Sequence, residues 1–140
     1  MTEQDLTALE RLAGRETRIY QQARDRLAVL ALKWIALTLR GHHPKAAAFE
    51  AVWAEQDSVQ ETAYLTWSTA YDESGAAVDV GEDLAEEFGG WLSFLTYEAR
   101  YAWKAPAGLH VDAYVERREA FRFPLQDCLD LPLPTPIAGG

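Results

Sequence analysis

A chain of 140 residues that is 49% apolar and carries five tryptophans can bury a core of its own, which excludes an intrinsically disordered protein. Its single cysteine, Cys128, excludes an internal disulfide and any cysteine-based zinc cluster. The net charge of −9 is unevenly divided: residues 6–45 hold eight Lys/Arg against three acids, residues 46–140 hold five against seventeen, and Glu3 and Asp5 supply the remainder. A basic N-terminal third joined to an acidic body points to charged partners. No basic segment followed by an apolar run and a cleavage site opens the chain, so the expected location is a reducing cytoplasm.

The first element is a helix from about residue 3 to residue 40. Thr2 and Asp5 have the spacing of a capping pair. Leu6, Leu9, Ala13, Glu16, Tyr20, Ala23, Leu27, Leu30, Trp34 and Leu37 then follow in steps of three and four, and nine of these ten are apolar. Gly41 and Pro44 supply a stop, and Gly14 is the point at which the helix would bend or break. Between Leu27 and Leu39 only Lys33 and Thr38 interrupt the apolar run. That run falls short of the ~20 residues a bilayer requires, so it reads as a buried helix rather than an anchor. The expectation is that the stripe packs along the domain's own sheet; in the alternative, the turns from Leu6 to Tyr20 project and pair with another chain.

Placed at 100° per residue, Arg11, Arg15, Arg18, Arg26, Lys33 and Arg40 share one sector opposite the stripe. Such a ridge is either a solvated outer face or a surface for an anionic partner, nucleic acid or an acidic protein. No aromatic residues interleave with it, and no RNP, homeodomain or zinc-finger signature accompanies it.

After "RGHHPK" the period changes to two. "AAAFEAVWAE" and "ETAYLTWSTAY" predict an antiparallel hairpin turned by "QDS", and "YDESG" leads into a short third strand from Ala76 to Val80. Trp34, Trp53 and Trp67 read as core. "GEDLAEEFGGWLSFL" returns to helical spacing, with Gly89-Gly90 marking either a break or the close approach of another backbone. "APAG" at 105–108 predicts a loop, and Asp112 a helix N-cap leading to about Phe121. "LDLPLPTPIAGG" predicts an extended tail.

Asp72, Glu73, Asp79, Glu82, Asp83, Glu86 and Glu87 crowd sixteen residues of this body. They serve solubility and the helix dipole, or form a docking face for a basic partner, or mimic a line of phosphates.

Catalytic signals are sparse. His42, His43 and His110 with Asp112 contain zinc-binding residue types, but adjacent histidines diverge and no HExxH spacing is present. Cys128 sits beside Leu129 in a Leu/Pro-rich tail, and no serine has a GxSxG frame. Nor is there a P-loop or GxGxxG. The expected architecture is α+β: one domain over residues 1–125, a long helix on a sheet of about three antiparallel strands, one or two further helices, and an extended tail over 126–140. The expected function is non-catalytic protein binding of adaptor, inhibitor or immunity type, without metal, cofactor or membrane. Its partner is another protein, or a second copy whose acidic face meets the ridge in a salt-sensitive contact. The rival is a small enzyme or ligand-binding protein with a pocket of Tyr64, Trp91, Tyr101, His110 and Asp112.

Overall fold

The computed structural model describes residues 2–54, 63–107, 109–115 and 118–133, with side chains outside 105–107, 109–115 and 118–119. Its elements are α1 (Glu3–His42), β1 (Ala46–Trp53), β2 (Leu65–Asp72), β3 (Ala77–Val78), α2 (Glu82–Leu92), α3 (Arg100–Ala107), β4 (Leu109–Val115), β5 (Arg118–Pro124) and α4 (Leu125–Asp130). The fold is α+β. An antiparallel sheet in the order β3-β2-β1-β5-β4 is joined to four helices through one core.

Helix α1 begins as its sequence dictates. The Thr2 hydroxyl accepts from the Asp5 amide while the Asp5 carboxylate accepts from the Thr2 amide, closing a capping box. The helix continues through Gly14, where nothing crowds the backbone, and through Gly41 to a cap at His43, two residues beyond the expected stop.

β1 and β2 pair antiparallel as predicted, as do β2 and β3, although β3 is only two residues long. The "QDS" turn lies outside the described residues. Glu50 pairs with Thr69 and Ala51 with Trp67, so Ser68 is stepped over as a bulge. The extra residue moves the inward position from Thr69 to Ala70, which is fully buried. An unbroken alternation across β2 is therefore not observed.

Several expectations for the C-terminal third are overturned. Residues 109–115 and 118–124 form strands β4 and β5 rather than a helix from Asp112 to Phe121, and with them the sheet has five strands instead of about three. β5 lies between β1 and β4, setting Phe123 opposite Phe49 and Phe121 opposite Ala51. Pairing to two neighbours at once outweighs the modest helical preference of "AYVERREAF". Residues expected as a loop, 105–107, belong to α3, and the start of the expected extended tail folds as α4.

The core has an aromatic centre. Phe49 stacks on Phe123 at 5.0 Å and on Trp67 at 5.8 Å between ring centroids, and Trp103 meets Phe121 edge-on at 5.2 Å. Trp103 is fully buried and its indole N–H donates to the Thr96 carbonyl at 2.8 Å, so its single polar group is satisfied. The Gly89-Gly90 pair does not break α2, and Gly89 faces Thr66 on β2.

The stripe of α1 is not its buried face. The core takes Ala28, Ala31, Leu32, Ile35, Ala36 and Leu39, whereas Leu27, Leu30, Trp34 and Leu37 are 38%, 38%, 46% and 59% exposed. This corrects both the expected packing of the stripe and the assignment of Trp34 to the core. From residue 27 to 39 the helix is apolar nearly all round, so periodicity could not choose between two rows. The alanines at 28, 31 and 36 decide the matter, because small side chains let α1 approach α2, α3 and α4 closely. Contact with the sheet itself is minor. Among the described residues no helix is long and apolar enough to cross a membrane.

Candidate protein-interaction surface

At 1.5 Å per residue the 40 residues of α1 extend roughly 60 Å, farther than the domain's core requires. Every residue from Thr2 to Arg18 is exposed, and the side-chain hydrogen bonds of this arm remain within the helix. Only from Ile19 onward does α1 become progressively covered.

The exposed stripe runs the length of both halves. Leu6 and Leu9 on the arm and Tyr20 just beyond it are 50%, 51% and 64% exposed and lead into Leu27, Leu30, Trp34 and Leu37 over the body. There the surface broadens. Trp34 lies 5.4 Å from Trp91, which lies 6.0 Å from Phe94, so α2 and the segment after it extend the apolar area sideways. A cleft of about 370 Å³ opens beside it, lined by Tyr20, Ala23, Leu27 and Phe94 and closed at one wall by the ion pair of Arg24 with Glu98 at 3.2 Å. A contiguous apolar strip on this scale is characteristic of an interaction surface.

The predicted basic ridge divides into two parts. Arg11, Arg15 and Arg18 stand free on the arm. Over the body the cations are engaged. Lys33 donates through Nζ to the carbonyls of Leu129 and Leu131 at 2.8 and 2.5 Å, and Arg40 donates to Gln126 at 3.2 Å. Arg26 is half-buried, with its Nε enclosed and without a partner. These three build the domain around α4 or sink into its flank, so they do not form a continuous outer ridge.

The acidic segment divides likewise. Asp72 accepts from the Ser74 amide and hydroxyl and from the Ala76 amide, folding the turn in which Gly75 takes a φ of 86°. These donors, the Ser74 hydroxyl first, hold its carboxyl below the usual carboxylate range. Asp79 accepts from the Gly81 amide, and Glu87 accepts from the Trp34 indole at 3.4 Å. Glu82, Asp83 and Glu86 remain free at the solvent face of α2, the first two in the turn where the helix dipole favours negative charge. Glu73 shares a cleft of about 650 Å³ with Arg40, Lys45 and Asp72, so the ends of the basic and acidic segments meet within one chain.

The three residues of the expected pocket whose side chains are described have separate surroundings. Tyr64 bridges to Thr96, Trp91 lies against Trp34, and Tyr101 is 81% exposed on α3. His110 and Asp112 belong to β4, and their side chains lie outside the described residues. His42 ends α1 and His43 caps it. Among the described residues no three His, Cys, Asp or Glu side chains gather as a metal site. Leu12, 57% exposed on the arm, and Phe94, 37% exposed after α2, add to the uncovered apolar surface and were not among the stripe residues read from the sequence. The second apolar row at 28, 32, 35 and 39 was the signal that the stripe was left over. Comparison with family models, with curated proteins and with solved structures returned no match.

Proposed function

We propose that this protein is a non-catalytic binding protein of adaptor, inhibitor or immunity type, and that α1 is its recognition element. The observation that carries the reading is a helix whose arm from Thr2 to Arg18 contributes nothing to the core, while its apolar stripe stays exposed from Leu6 to Leu37. Forty ordered residues with an uncovered apolar row are costly to keep in water unless another protein covers them. The free charges fit that role as selectors. Arg11, Arg15 and Arg18 flank the arm, and Glu82, Asp83 and Glu86 flank the body, where they steer encounter and reject wrong partners more than they add affinity.

The test is affinity capture with the full chain and with a Leu9→Glu/Leu12→Glu variant, followed by direct titration of each captured protein after purification. The reading expects stoichiometric binding that the variant loses and that Arg15→Glu slows in association. Equal binding by wild type and both variants, or binding by neither to itself or to any other protein, overturns it.

A further inference from the structure

We propose that the occupant of the α1 stripe is a second copy of this chain, docked antiparallel so that the arm of each copy lies along the body half of the other. The inference deepens the binding role proposed above and rests on it.

Three observations converge. The first is area. The stripe residues from Leu6 to Leu37 leave on the order of 800 Å² per copy open to solvent, which is what one partner buries in a stable interface. The second is pattern. The stripe repeats its three-four step every seven residues from Leu6 to Leu37. Such a seam drifts about 20° per heptad on a straight helix, and two helices that follow it wrap left-handed around each other.

The third is complementarity, which also sets direction. With the two helices antiparallel and Leu6 of each opposite Leu37 of the other, Tyr20 faces Ala23 and Ala13 faces Leu30, a large side chain against a small one each time. Glu16, the one charge in the stripe, then faces the apolar Leu27 and is kept away from its own copy in the partner. A parallel pair in register would instead stack Glu16 on Glu16 and Tyr20 on Tyr20, with the bodies side by side at one end. The antiparallel pair sets the bodies at opposite ends of a rod about 60 Å long, and each arm is about as long as the exposed stretch it covers.

The first measurement is sedimentation velocity on the full chain at low and high salt. The proposal expects twice 15.7 kDa at both, because the seam is apolar; a dimer held by ridge against acidic face would dissociate as salt rises. Leu9→Glu is expected to return the monomer mass. Its site lies on the arm outside the core, so unchanged thermal unfolding of the body controls for folding. Direction is read by mixing Ala13→Cys and Leu30→Cys chains under mild oxidation. A disulfide between the two variants supports the antiparallel seam, whereas an Ala13→Cys chain joined to itself overturns it. A monomeric wild type, or a dimer lost in salt and indifferent to Leu9→Glu, overturns the proposal. If a monomer still captures another protein through Leu9 and Leu12, the binding role stands and self-pairing alone fails.

Discussion

The ammonium of Lys33 lies 2.8 Å from the carbonyl oxygen of Leu129, joining the middle of the first helix to the last turn of α4. A helix leaves its final carbonyls without partners, and a cation at that end satisfies them and complements the dipole. Lys33 reaches Leu131 as well, so one half-buried side chain fixes where the chain goes after α4. Lys33→Met keeps the aliphatic stem and removes the donor. It is expected to cost about 2 kcal/mol in chemical denaturation, the scale of a charged hydrogen bond. Arg15→Met on the free arm is expected to stay within about 0.5 kcal/mol.

Glu50 is 6% exposed, the only buried charged residue among those described. It lies opposite Arg122 in the β1–β5 register and accepts from its Nη2 at 3.4 Å, while the same guanidinium covers the Tyr71 ring at 4.2 Å. Removing one partner of a buried pair strands the other. Arg122→Met is therefore expected to destabilise by about 3 kcal/mol, and Glu50→Gln/Arg122→Met to recover most of that loss. Equilibrium unfolding of the two singles and the double closes the cycle and gives the coupling directly.

The elements written in local chemistry were legible in the sequence. The Thr2–Asp5 box, the β1–β2 hairpin and the acidic first turn of α2 each follow from neighbours a few residues apart. What was not legible depends on distant partners. β4 and β5 become strands because β5 pairs with β1, some seventy residues earlier in the chain. The choice between the two apolar rows of α1 depends on what packs against Ala28, Ala31 and Ala36. The candidate surface was half legible: the stripe and the arginines were found, but the sequence carries no mark that Lys33 and Arg40 are already engaged with the C-terminal segment.

Asp72 makes the turn after β2 sensitive to acid. Its carboxyl is held below the usual value of 3.8, chiefly by the Ser74 hydroxyl and then by the Ala76 amide, and both bonds favour the ionised form. A lowered native value means that the contribution of the turn is fully present at neutral pH and is lost as pH falls through that value. A carboxyl-detected NMR titration should place the Asp72 midpoint below that of an unstructured aspartate. Ser74→Ala should move it back toward 3.8. A midpoint that the substitution leaves in place would remove the hydroxyl as its cause.

Cys128 reports on the same C-terminal contact from inside. It is 1% exposed in α4, and burial pushes its thiol up to about 12, with Asp127 adding to the rise and Lys33 opposing it. The thiolate is the reactive form, so a folded chain at pH 8 should resist a thiol reagent that modifies it rapidly in denaturant. Reaction then proceeds through openings that detach α4, and the labelling rate measures their frequency. Lys33→Met removes the clamp on Leu129 and Leu131 and should accelerate labelling several-fold, even though losing that cation favours the neutral thiol. The raised value also fixes a sign at high pH: the native state keeps a proton that the unfolded state releases, so stability is complete below 9.0 and declines as pH rises toward about 12. Labelling of the variant at the wild-type rate would mean that α4 is held by Leu125 and its apolar neighbours and not by the lysine.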